Sequence, residues 1–363
     1  MALKVAVLDD YQGCAKQFYD KLDSSQYAVS YFPDTLLPYQ VAPREVQDEL
    51  VQRLEPFDVI ASMRERTPFP AELIQRLPNL KLLLTTGVRN KAIDLPSCAA
   101  RRIPVAGATD THSGPPDSTT EHAVAMILGL ARRLAPGDAN VKAGLWQADG
   151  RFATGLAGRT FGVLGLGRLG AAVARIMHLA FGMKVVAWST NLTQQAADEQ
   201  ALRVGLPIER PDDGDGRNGG AGEKTFRVVS REELFAEADV VSVHLVLSDR
   251  TRGIVTARDL ARMKPSAFFV NTSRGPLVVE RDLLDVLKAG RIRGAALDVF
   301  DLEPLPSDSE WRSAEWGRNG TSDVLVAPHM GYVEERSITG FYRKQVANLE
   351  RWVAGEPLET LLT

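Results

Sequence analysis

The chain has 363 residues, 44% of them hydrophobic and 25% charged, which suits about two globular domains and excludes a disordered or fibrous protein. A formal net charge of -3 gives no basis for a nucleic-acid partner, and no apolar run is long enough to span a bilayer. The two cysteines, Cys14 and Cys98, exclude a disulfide framework and fit a reducing compartment; with no signal-peptide pattern after Met1, the expected location is the cytoplasm.

Residues 4–8 read as a buried strand that ends in Asp9-Asp10-Tyr11. Further strands are predicted at 29–32, at 57–62 and at 80–85, with a helix at 46–54. The third strand leads into Met63-Arg64-Glu65-Arg66-Thr67 and the fourth into Thr86-Gly87-Val88-Arg89-Asn90; residues 103–106 form a fifth. Strands alternating with helices imply a parallel sheet covered on both faces, with ligands beyond the carboxyl ends of its strands. The loops at Asp9, Arg64 and Gly87 are therefore the ones to examine. Residues 119–134 are predicted as a helix capped by Ser118 or Thr119. It is apolar around most of its circumference, which suits a deeply buried helix or a subunit interface.

A second sheet opens with an apolar strand at 161–164 and the turn Gly165-Leu166-Gly167-Arg168-Leu169-Gly170. In a G-x-G-x-x-G the first glycine allows the tight turn and the second lets a pyrophosphate approach the backbone. The third lets the helix sit close on its strand, and the helix N-terminus supplies free N–H groups and a positive dipole end. Val173, Ile176, Met177 and Ala180 then recur at helical spacing, and Gly182 stands where a C-cap glycine would. Strands follow at 184–188, 240–245, 267–271, 295–299 and 324–327, six in all, with a helix at 281–289. Residues 211–223, rich in Gly and Asp, read as a solvated surface insertion, and residues 338–353 as a final helix.

Three polar residues stand just beyond late strands of this sheet: Arg274, Glu303 and His329. Parallel strands share one direction, so all three loops should open on the side of the glycine turn. Arg suits a bidentate clamp on a carboxylate, His suits proton exchange with a carbonyl oxygen, and Glu suits holding that imidazole in one orientation. The five histidines show no paired metal-ligand spacing, the cysteines form no C-x-x-C, and there is no nucleophile-elbow pattern.

Four motifs in order carry a resemblance: Gly165 to Gly170, Asn271-Thr272-Ser273-Arg274-Gly275, Leu297-Asp298-Val299-Phe300 with Glu303-Pro304, and Pro328-His329. Over nearly the whole chain the sequence resembles the D-isomer-specific 2-hydroxyacid dehydrogenase family. The resemblance implies two doubly wound parallel-sheet domains with a cleft between them. A flavodoxin-like substrate domain would comprise 1–110, rejoined by 331–363, and a Rossmann-type dinucleotide-binding domain would comprise 111–330. It implies hydride transfer between NAD(H) or NADP(H) and a small 2-oxo or (R)-2-hydroxy acid, with Arg274, Glu303 and His329 as the catalytic trio and no metal. Gly165, Gly167, Arg168, Leu169, Gly170, Ser189, Thr190, Thr272 and Asp298 would face the coenzyme, Asp298 at the carboxamide. The Thr86-Gly87-Val88 loop would offer N–H groups to the substrate carboxylate, and the helix at Thr120-Glu121-His122-Ala123 resembles the family's dimer helix, so a homodimer is expected.

Departures from the family pattern leave some points open. Ser189-Thr190-Asn191 stands where NAD-specific sites place an acid for the ribose 2′-OH, and no Arg follows at once, so both coenzymes stay open. Arg89 occupies the substrate loop where glycine is common in the family. Arg64 and Tyr332 are further expected substrate contacts. The alternatives are a formate-dehydrogenase-like relative, which would carry glutamine where Glu303 stands, a phosphoglycerate dehydrogenase, which would carry a C-terminal regulatory domain not seen here, and a nucleotide-sensing corepressor-like protein.

Overall fold

The computed structural model describes residues 2–88, 90–108, 117–148, 150–210 and 222–363, so Arg89 and residues 211–221 of the insertion lie outside the described residues. The chain divides into two compact units, Met1–Ser113 with Val333–Thr363, and Gly114–Tyr332. Each is built on its own parallel sheet.

The first unit holds β1 (Leu3–Leu8), β2 (Tyr27–Phe32), β3 (Val59–Ala61), β4 (Leu82–Thr86) and β5 (Val105–Ala108), in the order β2-β1-β3-β4-β5. This is the flavodoxin order, with the switch point beside β1. Ala6, Leu8, Ile60, Leu83 and Val105 enter one core with Leu50, Leu54, Leu73 and Ile74 of the helices Arg44–Leu54 and Ala71–Gln75. The terminal helix Glu335–Val353 packs on β4 and β5.

The second unit holds β6 (Thr160–Leu164), β7 (Lys184–Trp188), β8 (Phe226–Val228), β9 (Val240–Val243), β10 (Phe268–Asn271), β11 (Gly294–Leu297) and β12 (Asp323–Val326). Their order is β12-β11-β10-β9-β6-β7-β8, with β6 and β9 adjacent at the centre, so connections run outward to both sides. Among the described residues seven strands form where the sequence pattern predicts six. β8 has three residues with the charged Arg227 at its middle, too short and too interrupted to show an apolar run. The period of two sends alternate side chains to opposite faces. Phe161, Val163, Val185 and Val270 enter the core under helices Ser118–Ala131 and Arg168–Phe181. Leu164, Val186, Val241 and Phe269 enter the core on the other face, with Leu283, Leu284 and Leu287 of helix Glu280–Lys288. Burial on both faces is why these strands are continuously apolar.

The helix expected at 119–134 runs from Ser118 to Ala131, and its N-cap is Asp117, whose side chain accepts from Thr120 N, not Ser118 or Thr119. Arg133, at φ 56°, breaks the run, and a separate helix, Leu134–Lys142, follows. No helix of the described residues is long and apolar enough to cross a membrane.

Candidate active site

The glycine turn follows the expected local logic. Gly165 has φ 104°, and a Cβ there would stand 2.9 Å from the His244 carbonyl, so only glycine fits both the conformation and the packing. A Cβ on Gly170 would stand 2.2 Å from Gly165 O, so the helix Arg168–Phe181 touches its own turn. Gly167 is different: a Cβ there would meet nothing within 4 Å. It is the N-cap of that helix, in extended conformation, and makes no side-chain cap hydrogen bond. Open space beside Gly167 and a helix start with no side-chain cap together suit a diphosphate. Leu169 is half-buried, and the exposed Arg168 side chain is ion-paired with Asp117. Gly182 ends the helix at φ 60°.

At the neighbouring strand end Gly165 N donates to Trp188 O at 2.9 Å, which places Ser189 and Thr190 beside the turn. Ser189 is half-buried and Thr190 exposed. On the other side of the sheet's centre, Thr272 is 7% exposed and its Oγ1 is buried without a hydrogen-bond partner. An orphaned hydroxyl in this position is a group waiting for a ligand, since buried polar atoms are otherwise satisfied. The open Gly167, the uncapped helix and this hydroxyl all fit a dinucleotide.

Arg274, Glu303 and His329 follow β10, β11 and β12, which are paired in register through Asn271, Leu297 and Val326. The loop carrying Arg274 is set by Asn271, whose Nδ2 donates to Arg274 O at 2.9 Å and whose Oδ1 accepts from Ser273 N at 3.1 Å. The next residue, Gly275, is pressed against the backbone of Phe300; a Cβ there would stand 2.1 Å from its carbonyl. Phe300 N donates to Glu303 Oε1 at 3.0 Å, and Glu303 Oε2 lies 2.6 Å from His329 Nδ1. One line of contacts thus joins the three loops. His329 itself has φ 55°, a conformation costly for a residue with a Cβ and one that clusters at functional sites. Tyr332 stacks edge-on against the imidazole, centroids 5.7 Å apart.

Asp298 is completely buried. Its carboxylate accepts from Met330 N at 2.7 Å and from Gly331 N at 3.0 Å. The sequence suggested a coenzyme contact for Asp298 but not this hold on the His329 loop. His122 and Asp117 were also missed. Asp117 shows its role by residue type alone, an Asp directly before a helical run, whereas nothing local marks His122.

In the first unit Arg64 has φ 53°, donates its N–H to Thr86 Oγ1 at 2.8 Å, and its carbonyl accepts from Asn90 Nδ2 at 2.6 Å. Its guanidinium lies over Gly87: a Cβ on Gly87 would stand 2.9 Å from Arg64 Nη1. The structure thus brings Arg64 and Gly87 together. Gly87 N donates to Ala108 O at 2.7 Å, so this N–H is paired within the unit. The pairing is tertiary: beyond the parallel β4–β5 ladder, which ends at Thr86 opposite Ala108, Gly87 turns back in an isolated antiparallel bridge to the same Ala108. Val88 is exposed. Among the described residues no group of three His, Cys, Asp or Glu side chains is arranged to hold a metal ion.

Comparison with known proteins gives a consistent answer. Residues 124–208 and 214–331 match the family model described as D-isomer specific 2-hydroxyacid dehydrogenase, NAD binding domain. A hydroxypyruvate reductase of Blautia hydrogenotrophica is 26% identical over 320 residues, covering 86% of this chain and 88% of that one. A D-3-phosphoglycerate dehydrogenase of Mycobacterium leprae is 32% identical over 269 residues, 74% of this chain; the chain spans 44% of that relative's length. A solved phosphoglycerate oxidoreductase from Vibrio cholerae is 33% identical with a TM-score of 0.78, covering 97% of this chain and 99% of the other.

Proposed function

This chain belongs to the D-isomer specific 2-hydroxyacid dehydrogenase family, and on that premise we propose that Arg274 and His329 are its catalytic residues, with Glu303 setting the imidazole. It is an oxidoreductase that uses NAD(H) or NADP(H) to interconvert 2-oxo and 2-hydroxy acids. The observation that carries the residue assignment is the 2.6 Å contact of Glu303 with His329 Nδ1. A ring nitrogen held by a carboxylate leaves Nε2 as the one that gives a proton to the carbonyl oxygen, or takes it back in the reverse direction. Phe300 N holds the other oxygen of Glu303, so the carboxylate cannot swing away. Arg274 clamps the substrate carboxylate and polarises the adjacent carbonyl. The bound coenzyme supplies or accepts the hydride.

The residues that would hold the coenzyme are Gly165, Gly167, Arg168, Leu169 and Gly170 at the diphosphate, Ser189 and Thr190 at the adenosine ribose, and Thr272 and Asp298 at the nicotinamide. With no carboxylate at Ser189 to repel a 2′-phosphate, NADPH is accepted as well as NADH. Residues 111–330 serve as the dinucleotide-binding domain and 1–110 with 331–363 as the substrate domain, where Arg64, Gly87 and Val88 meet the substrate; Tyr332 lines the pocket next to His329. The substrate is a small 2-oxo acid of the glyoxylate or hydroxypyruvate kind, and the protein works in the cytoplasm.

A homodimer has a specific surface. No residue of helix Leu134–Lys142 is buried, and Leu134, Val141, Trp146 and Phe152 are 62%, 59%, 79% and 88% exposed. Exposed apolar side chains within one stretch of chain suit an interface, and a second copy of the chain is the partner that covers them.

Initial rates with glyoxylate, hydroxypyruvate, pyruvate and phenylpyruvate, each with NADH and with NADPH, test the reading. Turnover of at least one acid is expected. Tight coenzyme binding with negligible turnover of all four would favour the sensor alternative. Formate oxidation is not expected, because Glu303 stands where the formate-oxidising relatives would carry glutamine.

A further inference from the structure

The backbone that carries His329 is held separately from its ring. Glu303 fixes the imidazole, whereas Asp298 fixes the two residues that follow, through Met330 N at 2.7 Å and Gly331 N at 3.0 Å. Asp298 is fully buried, and a buried carboxylate needs every polar neighbour it can find. Its side-chain neighbour is His122, from helix Ser118–Ala131: His122 Nε2 lies 3.0 Å from Asp298 Oδ1, close but outside hydrogen-bond alignment, and that nitrogen has no other partner. The same helix also touches the loop directly. A Cβ on Gly331 would stand 3.4 Å from Asp298 Oδ2, 3.4 Å from Thr119 Cγ2 and 3.8 Å from His122 Cδ2. His122 therefore adjoins both the carboxylate and the segment that the carboxylate holds.

We propose that His122 is a positioning residue for the reaction, acting through Asp298 to fix the backbone of the His329 loop. A small rotation of the imidazole turns its N–H onto Asp298 Oδ1 and completes the ring of donors around that carboxylate. With the donor removed, the buried charge is less well compensated, its two backbone bonds loosen, and His329, already in a costly conformation, loses its aim. Glu303 alone fixes a ring orientation, not the position of the backbone beneath it. Misplacement of a reacting group by about 1 Å is enough to cost up to about a hundredfold in rate. This inference rests on His329 as the proton-exchanging group.

The test compares full-length wild type, His122→Leu and His122→Gln in three measurements: kcat and KM for an accepted 2-oxo acid, coenzyme Kd by titration, and the downfield NMR proton of the Glu303–His329 contact. In His122→Leu, kcat is expected to fall about tenfold or more, with KM and coenzyme Kd within about twofold of wild type. The downfield proton should shift or broaden. His122→Gln, which still reaches Asp298 with an N–H, should recover kcat to within about threefold. Should His122→Leu not fold, His122→Asn takes its place, its amide being too short to reach, and the same loss is expected. The proposal is overturned if the apolar variant keeps kcat and the NMR signal, if glutamine falls as far as leucine, or if coenzyme Kd rises in step with the loss of kcat. Absence of wild-type turnover would count against the family activity alone, because the NMR comparison still decides whether His122 positions His329.

Discussion

The carboxyl ends of the two sheets are closed in different ways. In the five-stranded sheet, side chains tie the loops to one another. Asp9, at φ 60° and 1% exposed, accepts from Thr35 beyond β2 and from Thr67 beyond β3, and Arg64 is fastened by Thr86 and Asn90. In the seven-stranded sheet, Glu303 and Asp298 also tie loops together, but the turns close by leaving side chains out, at Gly165, Gly170 and Gly275, and Thr272 keeps an unsatisfied hydroxyl. Satisfied polar groups make a rigid wall. An unsatisfied hydroxyl beside an open helix N-terminus suits a ligand, which would supply the missing partner. On the proposed assignment, the second unit presents the chemistry and the first a shaped surface.

That contrast can be broken most directly at His329. Replacing it with Ala, or Arg274 with Ala, should lower kcat/KM by about 10²–10⁴-fold while circular dichroism and the thermal midpoint stay near wild type. Near-wild-type kcat/KM in both variants on every accepted acid would remove the second unit's claim to the chemistry.

A second contrast lies in pH. Burial pushes the Asp9 carboxyl up to about 6, opposed by its threonine hydrogen bonds. The folded state thus favours the protonated acid, and this group's contribution is complete below about pH 4 and lost as pH rises through 6. Burial holds His244 down to about 4, with Ser242 Oγ 2.9 Å from its Nε2. Its contribution is complete above about pH 6.5 and lost as pH falls through 4. Each effect is on the order of 3 kcal/mol, and between pH 4 and 6 they oppose. In urea denaturation across that range, Asp9→Asn should make stability rise more steeply with pH than wild type, and His244→Gln should make it fall. Identical slopes in all three proteins would show that the buried groups do not titrate as described.

Gly275→Ala sharpens the idea that missing side chains assemble the second site. Its Cβ must displace the Phe300 backbone that orients Glu303, so a stability loss of about 1–3 kcal/mol is expected together with a drop in kcat. Unchanged kinetics would show that the Phe300 contact transmits nothing to His329. The smallest effect is expected from Arg64→Ala: KM raised about tenfold with kcat nearly unchanged, the outcome if Arg64, as proposed, binds substrate equally in ground and transition states. A loss confined to kcat would move Arg64 into the chemistry.

Local pattern was enough for most of the architecture. Alternating apolar strands and helices, the glycine turn and the Gly182 cap are short-range signals, and each lies where the residues placed it. β8 escaped because three residues with a central arginine carry no period, and the helix break at Arg133 escaped because a left-handed arginine has no sequence mark.

The order of Arg274, Glu303 and His329 along the chain already implied three adjacent strand ends, since parallel strands point one way. What the residues could not disclose were contacts between segments far apart in the chain. The N–H of Gly87 is consumed by Ala108, Asp298 reaches across to Met330 and Gly331, and His122 approaches Asp298 from a helix 176 positions earlier in the sequence. Periodicity and turn chemistry are read within about a dozen residues, whereas these pairings exist only once strand order has brought distant backbone together.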